Sequence, residues 1–238
     1  RATYYGMCSS VDAQAGLVLD ALAERGVYDD TAFFLFADHG DFTGDYGLVE
    51  KTQNTFEDCL MHVPFVVKPP RDLAAQAGIR DALVELIDFP ATVYDLAGIA
   101  PEYTHFGRSL TPLLRGETAE HRDAVFCEGG RLRGERQAME LESDQDSRGL
   151  YSPRLRLQAT DEAPYHGKAT MCRTDRYKYV HRLYELDELY DLAHDPQELH
   201  NVAGDVAYGP VLESLRERLL TWYQETCDIV PRATDRRW

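Results

Sequence analysis

The chain has 238 residues, of which 44% are hydrophobic and 28% are charged, a composition typical of folded proteins with one large or two small domains. Its 25 Lys and Arg against 41 Asp and Glu give a formal net charge of −16 at pH 7, and such an acidic surface repels nucleic-acid phosphates. Its apolar runs fall far short of the roughly 20 residues that a membrane span needs. We therefore expect neither a nucleic-acid partner nor a membrane span.

The first hundred residues predict an α/β layer fold. Apolar periodicity indicates a helix over about residues 4–25, and the continuous apolar run Thr31–Ala37 indicates a strand buried on both faces of a parallel sheet. Further strands are predicted at Val63–Lys68 and Leu83–Ile87. A helix is then expected over Asp88–Leu96, with Asp88 as its N-cap.

After about residue 104 the pattern changes to that of a smaller α+β subdomain. Residues 128–164 are rich in charge and glycine and predict a long surface excursion. Residues 169–180 and 183–192 predict short antiparallel strands joined by a turn, and residues 210–227 predict a C-terminal helix. We place the domain boundary between the segments 1–104 and 105–238.

The residues Asp38-His39-Gly40-Asp41 come directly after the predicted buried strand. Open α/β sheets bind ligands at the carboxyl ends of their strands, and carboxylate and imidazole groups are good ligands for divalent metals. Asp38 and His39 are therefore candidate metal ligands. The alternative is that Asp38 caps a turn and His39 is an ordinary exposed histidine.

Lys51 ends a loop that follows the same strand and contains two glycines. If the loop curls back over the strand end, its ammonium could contact an anionic ester and stabilise a departing oxygen as charge develops there. The alternative is an exposed surface cation.

Taken in order along the chain, these residues resemble the C-terminal half of a sulfatase of the alkaline phosphatase superfamily. The resemblance lies in Asp38-His39-Gly40-Asp41 with Lys51, in Val63–Val67, and in Ile87–Thr92 followed by Leu96-Ala97-Gly98-Ile99. It continues in Gly107–Leu110, Leu113–Gly116, Arg173–Tyr179, Glu188–Leu192 and Asp195–Glu198 with Asn201. The implied fold is the C-terminal part of an αβα sandwich, followed by an α+β subdomain with a short antiparallel sheet and a C-terminal helix.

The resemblance also implies a site and a reaction. Asp38 and His39 would bind one divalent ion, with Ca, Mn, Zn and Mg left open, and Lys51 would contact the sulfate group. The family hydrolyses sulfate esters with a formylglycine nucleophile made from the first residue of a C/S-x-P/A-x-R motif. None of the five cysteines begins such a motif, so the formylglycine is expected in an N-terminal half that precedes residue 1. We expect this chain to be inactive without that half.

Two alternatives to a sulfatase remain. The Asp-His pair, where many sulfatases have Asp-Asn, also occurs in relatives that cleave phosphonate monoesters and phosphodiesters. The missing nucleophile also allows a truncated, non-catalytic binding module. The expected partners are the N-terminal half and a small-molecule, saccharide or aryl ester of sulfate or phosphonate. The odd number of cysteines favours a reducing compartment, so we expect a cytoplasmic protein.

Overall fold

A computed structural model describes residues 1–133 and 167–227. The predicted excursion over residues 128–164 lies outside the described residues from Gly134 onward, and its first two residues belong instead to a strand. The chain forms two compact units. The first consists of Arg1–Lys51, Asp58–Val125 and Leu220–Trp238, and the second consists of Thr52–Glu57 and Phe126–Leu219. The proposed domain boundary between residues 104 and 105 remains a prediction.

The helices and strands occur in the order of a mixed α/β protein. They are α1 Ala2–Glu24, β1 Phe33–Phe36, α2 Asp58–Met61, β2 Phe65–Lys68, α3 Asp88–Ala97, α4 Thr111–Arg115, β3 Val125–Gly129, β4 Ala169–Arg173, β5 Tyr177–Arg182, β6 Glu188–Asp191 and α5 Gly209–Thr226. Within the described ranges, no helix is both long and apolar enough to cross a membrane.

The strand β1 forms where the apolar run predicts it, but its pairing differs from the prediction. It pairs antiparallel with β2, from Phe33 opposite Lys68 to Phe36 opposite Phe65. Its side chains are partly buried, and Phe36 is 37% exposed. The prediction of a parallel strand buried on both faces is therefore wrong. A continuous apolar run identifies a strand, but it does not determine the direction of the neighbouring strand.

One side of β1 packs on the start of α3. The ring of Phe89 lies 5.0 Å from that of Phe34 and 4.9 Å from that of Phe36. Phe34 and Phe36 point to the same face because side chains alternate along a strand. The α3 helix itself matches its prediction and ends at Gly98, which adopts the left-handed conformation that favours glycine after a helix.

The predicted strand Leu83–Ile87 does not form in the described structure. Leu83 makes an isolated bridge to Arg122, and the residues after it turn into α3. The reason is local: the backbone N–H of Glu85 donates to Asp88 Oδ2 at 2.9 Å, so a side chain takes the hydrogen bond that a neighbouring strand would need.

Asp88 organises the first unit from a fully buried position, instead of capping α3 as predicted. Its carboxylate pairs with Arg122, accepts from the backbone N–H of Arg108 at 2.8 Å, and lies 3.2 Å from His121 Nε2. Burial alone would raise the pKa of Asp88, but the hydrogen bonds from Arg122, His121 and the backbone outweigh it and hold the pKa well below its usual range. This buried charge is therefore fully compensated.

The second unit is built on a four-stranded sheet in the order β3-β4-β5-β6, in which β4, β5 and β6 pair antiparallel. The predicted single strand 169–180 is wrong: it is two strands, because Thr174 and Tyr177 close a turn through two hydrogen bonds of 2.9 and 3.0 Å. The C-terminal helix α5 matches its prediction and buries Leu215 and Leu219.

Replacing Asp88 with Asn should destabilise the fold by about 3–5 kcal/mol, because Arg122 would remain buried without its charge partner. Since the folded pKa is lowered, the contribution of Asp88 is present above its unfolded pKa of about 4 and is lost as the pH falls below it. Urea unfolding at several pH values measures both effects. Asp81→Asn, on an exposed residue, should change the free energy of unfolding by less than about 0.5 kcal/mol.

Candidate functional site

Asp38 and His39 lie together on the loop that leaves β1. Asp38 is 87% exposed and His39 37% exposed. His39 Nδ1 lies 2.9 Å from the carbonyl oxygen of Gly40, and because a carbonyl can only accept, Nδ1 carries the proton. In the neutral imidazole Nε2 then presents its lone pair, which is the arrangement that a metal-binding histidine needs.

The two side chains fit a shared metal ion. Nε2 of His39 lies 3.7 Å from Oδ2 of Asp38. Bonds from nitrogen and oxygen ligands to divalent ions are about 2.0–2.6 Å long, so two atoms at this separation can bind one ion. In residues 1–133 and 167–227, no group of three or more His, Cys, Asp or Glu side chains is arranged to hold a metal. Asp38 and His39 thus remain the two candidate ligands among the described residues.

The backbone at Gly40 fixes this loop against α2. Its N–H donates to the carbonyl oxygen of Leu60 at 2.8 Å. A Cβ atom at Gly40 would overlap the carbonyl oxygen of Cys59. Glycine is thus required here for close approach of two backbones, and the approach holds the neighbouring Asp38 and His39 in place.

A closed loop connects these two residues to Lys51. Phe42 is fully buried beneath it, and the N–H of Thr43 donates to the carbonyl oxygen of Val49 at 3.0 Å. The backbone N–H of Lys51 donates to Oδ1 of Asp41 at 2.9 Å. The structure thus brings Lys51 back to the Asp38–Asp41 segment, by a backbone contact.

The sequence did not indicate the role of Asp41 as the residue that closes the loop. Asp41 belongs to the motif that predicted the site, but its contact spans ten residues of irregular backbone. No periodic pattern in the sequence signals such a contact.

Two family models match the chain, a sulfatase model over residues 1–99 and the C-terminal model of N-sulphoglucosamine sulphohydrolase over residues 162–225. The chain is 28% identical to a multifunctional alkaline phosphatase superfamily protein, PehA, of Trinickia caryophylli over 93% of its length, and 28% identical to a choline-sulfatase of Rhizobium meliloti over all of it. These matches cover 40% and 41% of the two relatives.

The crystal structure of a phosphonate monoester hydrolase of Agrobacterium radiobacter superimposes with a TM-score of 0.74 at 28% identity. The superposition covers 97% of this chain and 45% of that one. The chain belongs to the alkaline phosphatase-like sulfatase superfamily, whose fold it shares. It spans about two fifths of the length of the two curated relatives.

The steric role of Gly40 can be tested by Gly40→Ala, which we expect to cost about 1–3 kcal/mol, as overpacking does in a tight site. Gly6→Ala is the control, because Gly6 lies within α1 with open space at its Cβ position. That change should stabilise the helix by about 0.5–1 kcal/mol. Thermal unfolding measures both variants, and equal stability of Gly40→Ala and wild type would contradict the close approach.

Proposed function

We propose that this chain is the C-terminal part of a metal-dependent sulfuric ester hydrolase, in which Asp38 and His39 bind the metal and Lys51 contacts the sulfate group. The observation that carries the proposal is the pairing of His39 Nε2 with Asp38 Oδ2 on a loop that the Lys51 backbone closes. The nucleophile belongs to a preceding half of the protein, and the chain by itself is inactive.

The metal, when bound, would offset the negative charge that builds up during ester cleavage. Asp38 supplies an exposed carboxylate to hold the ion, and the Gly40 carbonyl keeps the proton of His39 on Nδ1. Lys51 supplies a positive charge that can stabilise the departing oxygen. Its backbone is hydrogen-bonded to Asp41 of the same loop, so the proposed ligands and the cation are carried by one loop.

Asp38→Ala in the full-length protein should reduce ester hydrolysis to the rate seen after the metal is removed with EDTA. The physical reason is the loss of one of two ligands on this loop. Lys51→Ala should lower kcat by about 10²–10³-fold, as removal of a transition-state donor typically does. Asp12→Ala, which changes an exposed carboxylate of α1, is the matched control and should retain wild-type kcat. Full activity of Asp38→Ala would remove Asp38 from the site.

A second ester class is supported by two similarities. One relative is a multifunctional alkaline phosphatase superfamily protein, and one matching structure is a phosphonate monoester hydrolase. The alternative is therefore hydrolysis of phosphonate monoesters or phosphodiesters at the same site. A nitrogen ligand beside a carboxylate suits Mn or Zn better than it suits Ca.

The ester class can be decided by comparing kcat/KM for an aryl sulfate, an aryl phosphonate monoester and an aryl phosphodiester in one metal at a time. We expect the aryl sulfate to give the highest value, because the chain matches a sulfatase family model and a choline-sulfatase. The highest value for the phosphonate monoester would instead favour the second class. Asp38→Ala should lower all three.

A non-catalytic module is the third candidate, and its test is physical. A module would show a single cooperative thermal transition as a soluble monomer when the chain is produced alone. We expect aggregation instead, because α1 exposes large apolar side chains, among them Tyr5, Met7 and Leu17.

We also propose a cytoplasmic location with no nucleic-acid partner, which fractionation of the native cells would check.

A further inference from the structure

The segment Thr52–Glu57, which directly follows Lys51, belongs to the second unit. Three of its backbone carbonyls accept hydrogen bonds from other residues of that unit. The N–H of Gly130 donates to the carbonyl of Gln53 at 2.9 Å, and Nη1 of Arg182 donates to that of Asn54 at 2.8 Å. Nζ of Lys178 donates to the carbonyl of Phe56 at 2.7 Å.

Lys178 is unusual among these donors because it is fully buried. Its ammonium pairs with Glu198, which is also buried and whose backbone has a φ of 54°. The surroundings are acidic and dry: burial, and after it the charges of Glu188, Glu57 and Glu198, raise the pKa of the neighbouring Tyr190.

A buried ion pair is rarely worth more than well-packed apolar residues of the same volume. Stability therefore does not explain a lysine at this position. A directed hydrogen bond to the Phe56 carbonyl does, because no apolar residue can donate it.

The two charged donors act from the same face of β5. Side chains alternate along a strand, so residues 178 and 182 point to one side of the sheet. Tyr179 points to the other side, where its hydroxyl accepts from Nε of Arg216 of α5 at 3.2 Å. One face of the sheet thus packs with α5, and the other holds the segment Thr52–Glu57.

Hydrogen bonds are present on each side of Lys51 along the chain. Its own N–H donates to Asp41, and the segment that continues from it is held through the carbonyls of Asn54 and Phe56. The exposed Lys51 side chain therefore projects from a backbone that continues directly into a hydrogen-bonded segment. A catalytic group misplaced by about 1 Å can cost about 100-fold in rate.

We propose that Lys178 and Arg182 are positioning residues for Lys51, and that the β5 strand thereby sets the activity of the candidate site. The inference rests on the proposed function. It assigns a catalytic consequence to a strand of the α+β subdomain that contributes no ligand or substrate contact in that proposal.

The test uses the full-length protein and the double variant Lys178→Met with Glu198→Leu, which removes the donor without leaving Glu198 buried and unpaired. We expect kcat for the best aryl ester to fall by about 10–100-fold, with KM changed less than threefold. Arg182→Met, whose second partner Glu188 is partly exposed, should act in the same direction and is available if the double variant does not fold.

The matched control is Arg176→Met, which removes two hydrogen bonds to Asp191 at 3.1 and 2.9 Å in the same sheet. These bonds of Arg176 go to Asp191 and not to the segment Thr52–Glu57. The kcat of Arg176→Met should therefore stay within twofold of wild type. A loss in Arg176→Met equal to that in the double variant would overturn the proposal, because general weakening of the sheet would then explain both.

The decisive comparison is made in a Lys51→Ala background. If Lys178 acts through Lys51, the Lys178 and Glu198 changes should lower kcat less than twofold there, since the group that they misplace is gone. The same 10–100-fold loss in both backgrounds would overturn the proposal.

Amide hydrogen exchange supplies a measurement that does not depend on activity. A peptide covering residues 50–58 should exchange at least tenfold faster in the double variant and at the wild-type rate in Arg176→Met. Unchanged exchange in the double variant would overturn the proposal even if kcat fell. Absence of ester hydrolysis in the wild type would contradict the proposed function, while the exchange rates would still show whether Lys178 holds the segment.

Discussion

The contact between the Asp41 carboxylate and the Lys51 backbone is the constraint on which the candidate site depends. It closes an irregular loop over the buried ring of Phe42, so the loop keeps one shape without a regular hydrogen-bond ladder. The close approach of Gly40 to α2 fixes the other end of the same loop. Residues 38–51 thus present a carboxylate, an imidazole and an ammonium on one stretch of backbone.

The helices were predictable from the sequence because their signals are local. Both α3 and α5 form over the predicted residues, and Gly98 follows α3 in the left-handed conformation. Strand pairing was less predictable, because the paired strands are distant in the sequence. The sequence of one strand also does not show whether its neighbour runs parallel or antiparallel to it. The strand β1 therefore forms at the predicted residues but pairs antiparallel with β2. Residues 83–87 form no strand, because the Asp88 side chain accepts the backbone hydrogen bond of Glu85.

For the candidate site, the motif predicted which residues lie together but not what holds them. Asp38 and His39 are adjacent in the sequence, so their proximity follows from the chain itself. The Lys51 backbone is bonded by Asp41, ten positions away. The segment after Lys51 is bonded by Lys178 and Arg182, more than a hundred positions from their partners. The acidic cluster around Lys178 is likewise assembled from separate segments. The strand β5 carries Lys178, His181 and Arg182, so its sequence alone does not single out Lys178 as the buried one.

Gly40 and its neighbours also differ in how freely they can change. Position 40 has no room for any side chain, whereas Asp38 projects into solvent and His39 is only partly covered. Exchanging Asp38 would therefore leave no cavity, whereas exchanging His39 would also remove its contact with the Gly40 carbonyl. The fold is thus insulated from the identity of residue 38, so the metal preference of the proposed site could be retuned there by a single substitution while the fold stays intact.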